Sequence, residues 1–268
     1  MNVHCAAAPG APPARVCWVG FTTFIVRAYQ DIVRYFFLTI APPAVTTVLY
    51  FVVFGALIGH RIGGVGGFSY LQYIAPGLII LPIIMGSYSQ AGLSFVVAKI
   101  HRIIEEHLVS PQPAWMIVVS YVTGGLIRGI LVGTAAAIVT LLFTGVHVQH
   151  VFTTVGALLL TALVSSLAGF INGVFAKTLD QVSWVPSLVL TPLTYLGGVF
   201  YSLSLLPPWA QNLSLADPIS YMVDLFRYGM LGVSEMQVGI SVLAMLLAAV
   251  AMFGVAVALM QRGVGIRD

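Results

Sequence analysis

The chain has 268 residues, of which 59% are hydrophobic and only 7% are charged, and its mean hydropathy is +1.02. Because a water-soluble domain carries roughly 25% charged residues, this composition excludes a soluble enzyme, a nucleic-acid binder and a disordered protein. The 11 Lys and Arg residues outnumber the 8 Asp and Glu residues, and we expect this basic excess to set the orientation of a membrane protein.

The region before the first membrane span divides into two parts. Residues 1–14 are rich in Ala and Pro and carry no charge, which predicts a disordered tail and no cleaved signal peptide. Residues 15–34 have an apolar face and an opposite polar stripe that contains Arg27 and Arg34, a pattern that predicts an amphipathic helix on the cytoplasmic membrane surface. An early start of the first span is the alternative, and three charges within two turns weigh against it.

The hydropathy pattern of residues 35–268 predicts one all-α transmembrane domain. A hydrocarbon core about 30 Å thick requires about 20 mainly apolar residues, and six runs meet this requirement: Tyr35–Ile58, Leu71–Val97, Ala114–Thr144, Val151–Phe175, Val182–Leu203 and Val238–Met260. Eight Lys and Arg residues fall on the side of the two termini, Arg61 and Arg227 fall on the other side, and Arg128 lies within the third run. The positive-inside rule therefore predicts that both termini are cytoplasmic.

Arg128 is the one charge predicted to lie well inside a span, where a charge is costly enough to indicate function. Gly125, Gly129 and Gly133 repeat every four residues beside it and predict a small-residue face for close helix approach. Two interpretations stay open. Arg128 either contacts an anionic substrate headgroup in a polar cavity, or it is structural, bonded to carbonyls or paired with an acid before the last span. In the second case we expect substitution to affect folding more than substrate choice.

The connection between the second and third spans, about residues 99–110, has a definite amphipathic pattern. One face is apolar, the other carries Lys99, Arg102 and Glu106, and the sequence Ser-Pro-Gln-Pro (110–113) ends the segment. This pattern predicts a short cytoplasmic helix. Its acidic residues either pair with a partner protein or are merely solvated, with an internal pair between Arg102 and Glu106.

The connection before the last span, about residues 204–237, is too apolar for an ordinary external loop and too broken for a span. The dipeptide Pro207-Pro208 opens one short segment, and Asp217 as N-cap with Pro218 at the first helical position opens another, which contains Arg227. Irregular backbone at membrane depth is tolerated only where protein or a cavity surrounds it. Two re-entrant helices in the outer leaflet are therefore predicted.

Motifs for catalysis are missing from the sequence. The Lys177-Thr178 pair follows Ala176 where a phosphate-binding loop needs glycine, so the chain cannot hydrolyse ATP through a P-loop of its own. HExxH, CxxC and GxSxG motifs are absent, and we assign no catalytic residue, metal ligand or cofactor to this chain. All eight acidic residues fall in loops or interfacial segments, which argues against an ion-coupled carrier and for an external energy source.

Several local sequences resemble one family of membrane proteins. They are Glu105-Glu106 followed by Leu-Val-Ser-Pro (108–111), Leu-Thr-Tyr-Leu-Gly-Gly-Val-Phe-Tyr-Ser-Leu (193–203), Leu-Leu-Pro-Pro-Trp (205–209), Asp-Pro-Ile-Ser-Tyr-Met (217–222) and Phe-Arg-Tyr-Gly (226–229). Over residues 18–268 the chain resembles the ABC-2 type transport permeases, in particular their YadH-like branch. One departure is Asp217, where the family pattern has Asn, and both residues are good N-caps.

The resemblance implies an exporter permease that forms a homodimer and joins two copies of a separate ATP-binding subunit, with ATP bound there and the 99–110 segment as coupling helix. The residues expected to contact that subunit are Arg27, Arg34, Ile100, Arg102, Ile103, Glu105, Glu106 and Leu108. Tyr195 joins Arg128, Gly125 and Gly129 as a candidate cavity or structural residue. The alternatives are a membrane-embedded enzyme or assembly protein that acts on lipid-linked substrates without transport, and thirdly a passive channel.

Overall fold

The computed structural model describes residues 36–57, 67–102, 113–203 and 206–264. The predicted tail 1–14, the predicted surface helix 15–34 and most of segment 99–110 lie outside these residues. In chain order the helices are α1 (Phe36–Leu57), α2 (Tyr70–Ile100), α3 (Ala114–Thr144), α4 (Val151–Phe175), α5 (Leu179–Val185), α6 (Thr191–Leu196), α7 (Pro208–Ala216), α8 (Pro218–Leu231) and α9 (Val238–Arg262).

Four helices are long and apolar enough to cross a membrane, namely α2, α3, α4 and α9. Their positions were predicted from hydropathy, and α3 and α4 have the predicted bounds. The prediction of an all-α, polytopic membrane protein is therefore confirmed for the described part of the chain. The predicted total of six spans depends on two further segments.

The first of these segments, α1, is helical but has a shorter apolar stretch, Thr39–Gly55. Pro42 and Pro43 lie inside it. Because proline has no backbone N–H, these two positions donate no helical hydrogen bond. The hydroxyl of Thr46 donates to the carbonyl of Pro42 at 2.9 Å, and that of Thr47 donates to the carbonyl of Pro43 at 2.8 Å.

The fifth predicted span, Val182–Leu203, begins earlier and ends earlier than predicted. It consists of α5, a π-helical turn at Pro186–Leu190 and α6, with seven, five and six residues. In the π turn the N–H of Thr191 bonds the carbonyl of Pro186, five residues back. At 1.5 Å per residue the whole unit is about 27 Å long. The helix ends at Leu196 because Gly198 adopts a φ of 72° in the turn that follows.

Helix α2 is the centre of the bundle and packs mainly against α3 and α4. A Cβ added to Gly92 would lie 2.8 Å from the carbonyl oxygen of Gly169, and one added to Gly169 would lie 2.9 Å from the Cα of Tyr88. The crossing of α2 and α4 therefore depends on glycine. Beside it the ring of Phe95 packs edge-on against that of Phe170, with 4.7 Å between centroids.

Two short helices, α7 and α8, occupy the connection before α9. They begin at Pro208 and Pro218, as the prolines predicted, and have nine and 14 residues. Asp217 caps α8, since its carboxylate accepts the N–H of Ile219 at 2.9 Å. Helix α8 is buried along most of its length and packs against α4, α9 and α2. Neither helix is long enough to span, and their entry into the outer leaflet stays a prediction.

Candidate functional site

A cavity of about 430 Å³ lies between α1, α2, α3 and α6. A cavity of this size accommodates a drug-sized ligand. Arg128 and Tyr195, two of the candidate cavity residues, both lie in its wall. The lining residues are Thr39, Pro42, Pro43, Thr46, Thr47, Tyr50, Leu78, Leu81, Pro82, Met85, Gly86, Ser89, Arg128, Val132, Thr191, Thr194, Tyr195 and Phe200.

The cavity is apolar at one end and polar at the other. At the apolar end Tyr50 and Phe200 pack together, with 6.1 Å between ring centroids, beside Leu78. Along α2, Ser89 is about 17 Å from Leu78. Arg128 reaches α2 at the residue next to Ser89, so the one charged side chain in the wall lies at the far end from the aromatic rings.

Four threonine hydroxyls in the wall donate to backbone carbonyls three to five residues before them. Besides the bonds of Thr46 and Thr47 in α1, Thr194 donates to the carbonyl of Thr191 at 2.7 Å, and Thr191 donates to that of Pro186 at 3.0 Å. Each hydroxyl oxygen keeps lone pairs that accept hydrogen bonds. These wall residues therefore supply acceptors, and Arg128 supplies donors.

Arg128 is held by an amide. Its Nη1 donates to Oε1 of Gln90 at 2.8 Å, and Nε2 of Gln90 donates to Oγ of Ser94 at 3.0 Å. The bond to Ser94 orients the amide so that its oxygen faces the guanidinium. The Nε atom of Arg128 is buried and has no partner, and no carboxylate of the described residues pairs with this side chain.

Gly125 and Gly129 lie at a helix contact. A Cβ on Gly125 would lie 2.7 Å from the carbonyl oxygen of Ser87, and a Cβ on Gly129 would lie 3.0 Å from the Cβ of Ala162. The predicted small-residue face of α3 therefore packs against α2 and α4. This close packing fixes the position of Arg128 next to Gln90.

A second arginine is buried where α8 meets α2. Arg227 is 1% exposed, and its guanidinium donates to Oε1 of Glu235 at 3.1 Å and to the carbonyl of Gly198 at 2.8 Å. It also lies 4.3 Å from the centre of the Tyr73 ring, a cation–π contact. Glu235 accepts further bonds from the hydroxyl of Tyr73 and from the N–H of Leu203.

Asp224 completes this group, and we call Tyr73, Asp224, Arg227 and Glu235 the Arg227 cluster. Asp224 is 2% exposed. Its carboxylate accepts four donors, which are the hydroxyls of Ser234 and Ser241 and the N–H groups of Glu235 and Met236. A buried charge is tolerated when its lone pairs are satisfied in this way. The cluster joins α2, α8, α9 and the turn after α6.

Asp217 has a different environment. One carboxylate oxygen caps α8, but its Oδ2 atom is buried and has no partner among the described residues. Burial therefore raises the pKa of Asp217 to about 6, an effect that the hydrogen bond from the N–H of Ile219 opposes.

Of the predicted coupling segment, about residues 99–110, the structure describes only residues 99–102. Ile100 is 52% exposed in the last turn of α2, and Arg102 has a φ of 58°. Lys99 donates to the carbonyls of Val174 and Ala176 at 2.9 and 3.0 Å, which ties the end of α2 to the end of α4. The predicted residues Arg27, Arg34, Ile103, Glu105, Glu106 and Leu108 lie outside the described residues.

The sequence did not identify Gln90, Tyr73, Asp224 or Glu235. Gln90 and Arg128 are 38 residues apart, and Tyr73 and Glu235 are 162 apart, so only the fold brings them together. One signal was present for Arg227 itself. It lies four residues after Val223 and three before Met230, on the face of α8 that the core buries.

The four long apolar helices that the structure describes, together with a cavity inside the bundle, indicate a polytopic membrane protein. Among the described residues, no group of three or more His, Cys, Asp or Glu could hold a metal ion.

The chain belongs to the ABC-2 type transporter family, whose sequence model matches residues 20–231. It is 45% identical to the inner membrane transport permease YadH of Escherichia coli (strain K12) over 251 residues, which cover 94% of this chain and 98% of that protein. It is 26% identical to nodulation protein J of Neorhizobium galegae over 215 residues, 80% of this chain and 82% of that protein. The family assignment made from the local sequences is confirmed.

Proposed function

We propose that this chain is the permease subunit of an ATP-driven exporter in the bacterial cytoplasmic (inner) membrane. Its substrate is hydrophobic or lipid-linked, such as a polysaccharide, a lipo-oligosaccharide or a drug. The cavity between α1, α2, α3 and α6 carries this proposal, because it offers an amphiphile a polar end and an apolar end within a membrane-spanning bundle. Family membership and 45% identity to a transport permease support it.

The proposal assigns ATP hydrolysis to a separate subunit, present in two copies beside a permease homodimer. The sequence has no P-loop, since Ala176 precedes Lys177-Thr178 where glycine is required. The remaining partners are membrane lipids, and nucleic acid is not among them. No cofactor is assigned to the permease chain.

The proposed topology has six spans with both termini in the cytoplasm. The buried position of Arg227 and its bond to Glu235 strengthen this orientation, because a paired arginine inside the protein does not act as a loop charge. Arg61 is then the one basic residue assigned to the outer loops, compared with eight on the cytoplasmic side. In this orientation Arg128 lies nearer the cytoplasm than the Arg227 cluster does. The Arg227 cluster and the proposed re-entrant helices α7 and α8 lie on the outer side, where the substrate leaves the permease.

We assign coupling to segment 15–34, which the sequence predicts to be a surface helix, and to segment 99–110. Glu105 and Glu106 pair with basic groups of the ATP-binding subunit, and the apolar face from Ile100 to Leu108 docks in a groove of it. The bonds of Lys99 extend this coupling surface into the bundle, because a displacement of the segment moves α2 and α4 together.

The test is isolation of the tagged permease from its host membranes, followed by identification of the proteins that remain bound. We expect a P-loop ATPase, and vesicles that contain both subunits should move a lipid-linked substrate only with ATP. The double variant Glu105→Lys/Glu106→Lys should keep normal permease levels while ATP hydrolysis no longer drives export. Recovery without any P-loop ATPase, together with chemical modification of the lipid-linked substrate, would support the membrane enzyme instead.

A further inference from the structure

We propose that Arg128 binds the anionic group of an amphiphilic substrate whose hydrocarbon part lies against Tyr50, Leu78 and Phe200. The proposal rests on the proposed function, since it names the chemistry of the molecule that the cavity receives. That chemistry is a phosphate, sulfate or carboxylate joined to an apolar chain.

The first argument is charge balance. A guanidinium inside a membrane-spanning helix requires compensation, and Arg128 has one neutral partner, the amide oxygen of Gln90. In the described part of the chain, Glu235 is bonded to Arg227 and Asp224 accepts four donors of its own surroundings. Asp217 caps α8 and Asp180 is exposed on α5. None of the four described carboxylates therefore pairs with Arg128, so an anionic ligand supplies the missing charge.

The second argument is the arrangement of donors. Gln90 uses its oxygen on Arg128 and one of its two N–H donors on Ser94, so this amide positions the guanidinium without neutralising its charge. One terminal nitrogen of Arg128 is held by Gln90, while its Nη2 atom forms no hydrogen bond with the described residues. Guanidinium groups recognise phosphate and carboxylate oxygens through such fixed donors.

The third argument is the polarity of the cavity along its length. From Gln90 to Leu78 along α2 is about 18 Å, and over this distance the wall changes from a charged side chain to aromatic and aliphatic groups. An uncharged hydrophobic molecule would leave Arg128 uncompensated, and a small free anion would leave the apolar end empty. An anionic amphiphile satisfies both ends.

The test measures binding to the full-length permease in discs of zwitterionic lipid, without the ATP-binding subunit, so that its result does not depend on transport. The probe is dodecyl phosphate, compared with inorganic phosphate and with dodecyltrimethylammonium. We expect saturable binding of dodecyl phosphate, much weaker binding of inorganic phosphate and no specific binding of the cation.

Three variants make the test specific. Arg128→Gln removes the charge, and Gln90→Glu supplies a counter-ion within the protein, so each should weaken dodecyl phosphate binding by about tenfold or more. Arg262→Gln removes an equal charge from an exposed position at the end of α9 and should bind like the wild type. Gln90→Glu nearly preserves the side-chain volume and keeps the test valid if Arg128→Gln does not fold.

Unchanged affinity in both cavity variants would overturn the proposal, as would equal binding of the cationic amphiphile. Equal binding of inorganic and dodecyl phosphate would overturn the amphiphile assignment. Loss of dodecyl phosphate binding in Gln90→Glu, with retention in Arg262→Gln, would support it. If the permease shows this pattern yet no ATP-driven export is found, the binding site stands and the exporter proposal fails.

Discussion

The two arginines inside this bundle have opposite surroundings. Arg227 donates to the carboxylate of Glu235 and to the carbonyl of Gly198, and its guanidinium lies over the ring of Tyr73. Arg128 donates to the amide of Gln90 and faces a cavity. The Nε atom has no hydrogen-bond partner in either side chain. The two arginines therefore differ in the partners of their terminal nitrogens, which are a carboxylate and a carbonyl for Arg227 and a neutral amide for Arg128.

This contrast favours a structural role for Arg227 and supports the proposed binding role of Arg128. The bonds of Arg227 join four parts of the chain, and their loss leaves Glu235 without its cationic partner. Arg128 holds together no comparable set of elements among the described residues. The burial of an arginine and the free-energy cost of its charge in the membrane are therefore insufficient to identify a functional arginine. The two roles are distinguished by whether a carboxylate of the protein pairs with the guanidinium.

The largest effect is expected for Arg227→Met. The variant loses two hydrogen bonds from the charged guanidinium, to Glu235 and to the carbonyl of Gly198, each worth about 1.5–3 kcal/mol. It also loses the cation–π contact with Tyr73. The variant should show a much lower Tm in detergent and less folded protein in the membrane. The double variant Arg227→Met/Glu235→Gln should recover part of this loss, because it removes the isolated charge as well. A single variant as stable as the wild type would contradict the structural role.

A smaller loss is expected for Asp224→Asn. The amide keeps one acceptor oxygen but turns a donor toward N–H and hydroxyl groups that also donate, which leaves buried polar groups unpaired at a cost of about 1–3 kcal/mol. Thermal unfolding of the purified permease measures it. Asp180→Asn is the matched control, because Asp180 is exposed on α5 and should leave the Tm unchanged. Equal Tm values for the two variants would show that the bonds of Asp224 do not stabilise the fold.

Arg128→Met is expected to change stability by less than about 1 kcal/mol, because the lost bond to Gln90 is offset by removal of a charge without a counter-ion. Gln90→Glu should raise the Tm, since it gives Arg128 the kind of partner that Arg227 has. A loss for Arg128→Met as large as that for Arg227→Met would return Arg128 to the structural interpretation that the sequence left open.

Hydropathy predicted the helices of this protein well, because the lipid requirement for long apolar runs acts on local sequence. It placed α3 and α4 at their observed bounds. The fifth span was predicted too long at its end, although Gly197-Gly198 carried the signal for the turn. Arg128 and Tyr195 were candidates for a cavity or a structural role, from one costly charge and one local motif, and both line the cavity.

The sequence alone did not predict which residues pair with the charged side chains. Arg227 was counted as a loop charge, whereas the structure buries it against Glu235. Hydropathy does not report which face of a short helix meets the core. The bond between Tyr73 and Glu235 joins residues 162 apart, and no spacing rule predicts such a pair.

The smallest effect concerns Asp217 and depends on pH. Burial raises its pKa to about 6, compared with 3.8 for an unperturbed Asp. Between these values the folded protein holds a proton that the unfolded chain has released, so the free energy of unfolding falls as the pH rises from about 4 to about 6. Asp217→Asn removes this dependence. It also keeps the cap on α8, because Asn accepts the N–H of Ile219 as well as Asp does.

We therefore expect Asp217→Asn and the wild type to have nearly equal Tm values at pH 4, and the variant to be more stable at pH 7. Asp224→Asn supplies the contrast, because its carboxylate is bonded to four donors and its loss should destabilise the protein at pH 7. Tm measured from pH 4 to pH 8 distinguishes the two acids. A constant difference between Asp217→Asn and the wild type over this range would show that Asp217 does not retain its proton in the folded protein. The unpaired Oδ2 atom would then have to be satisfied by water.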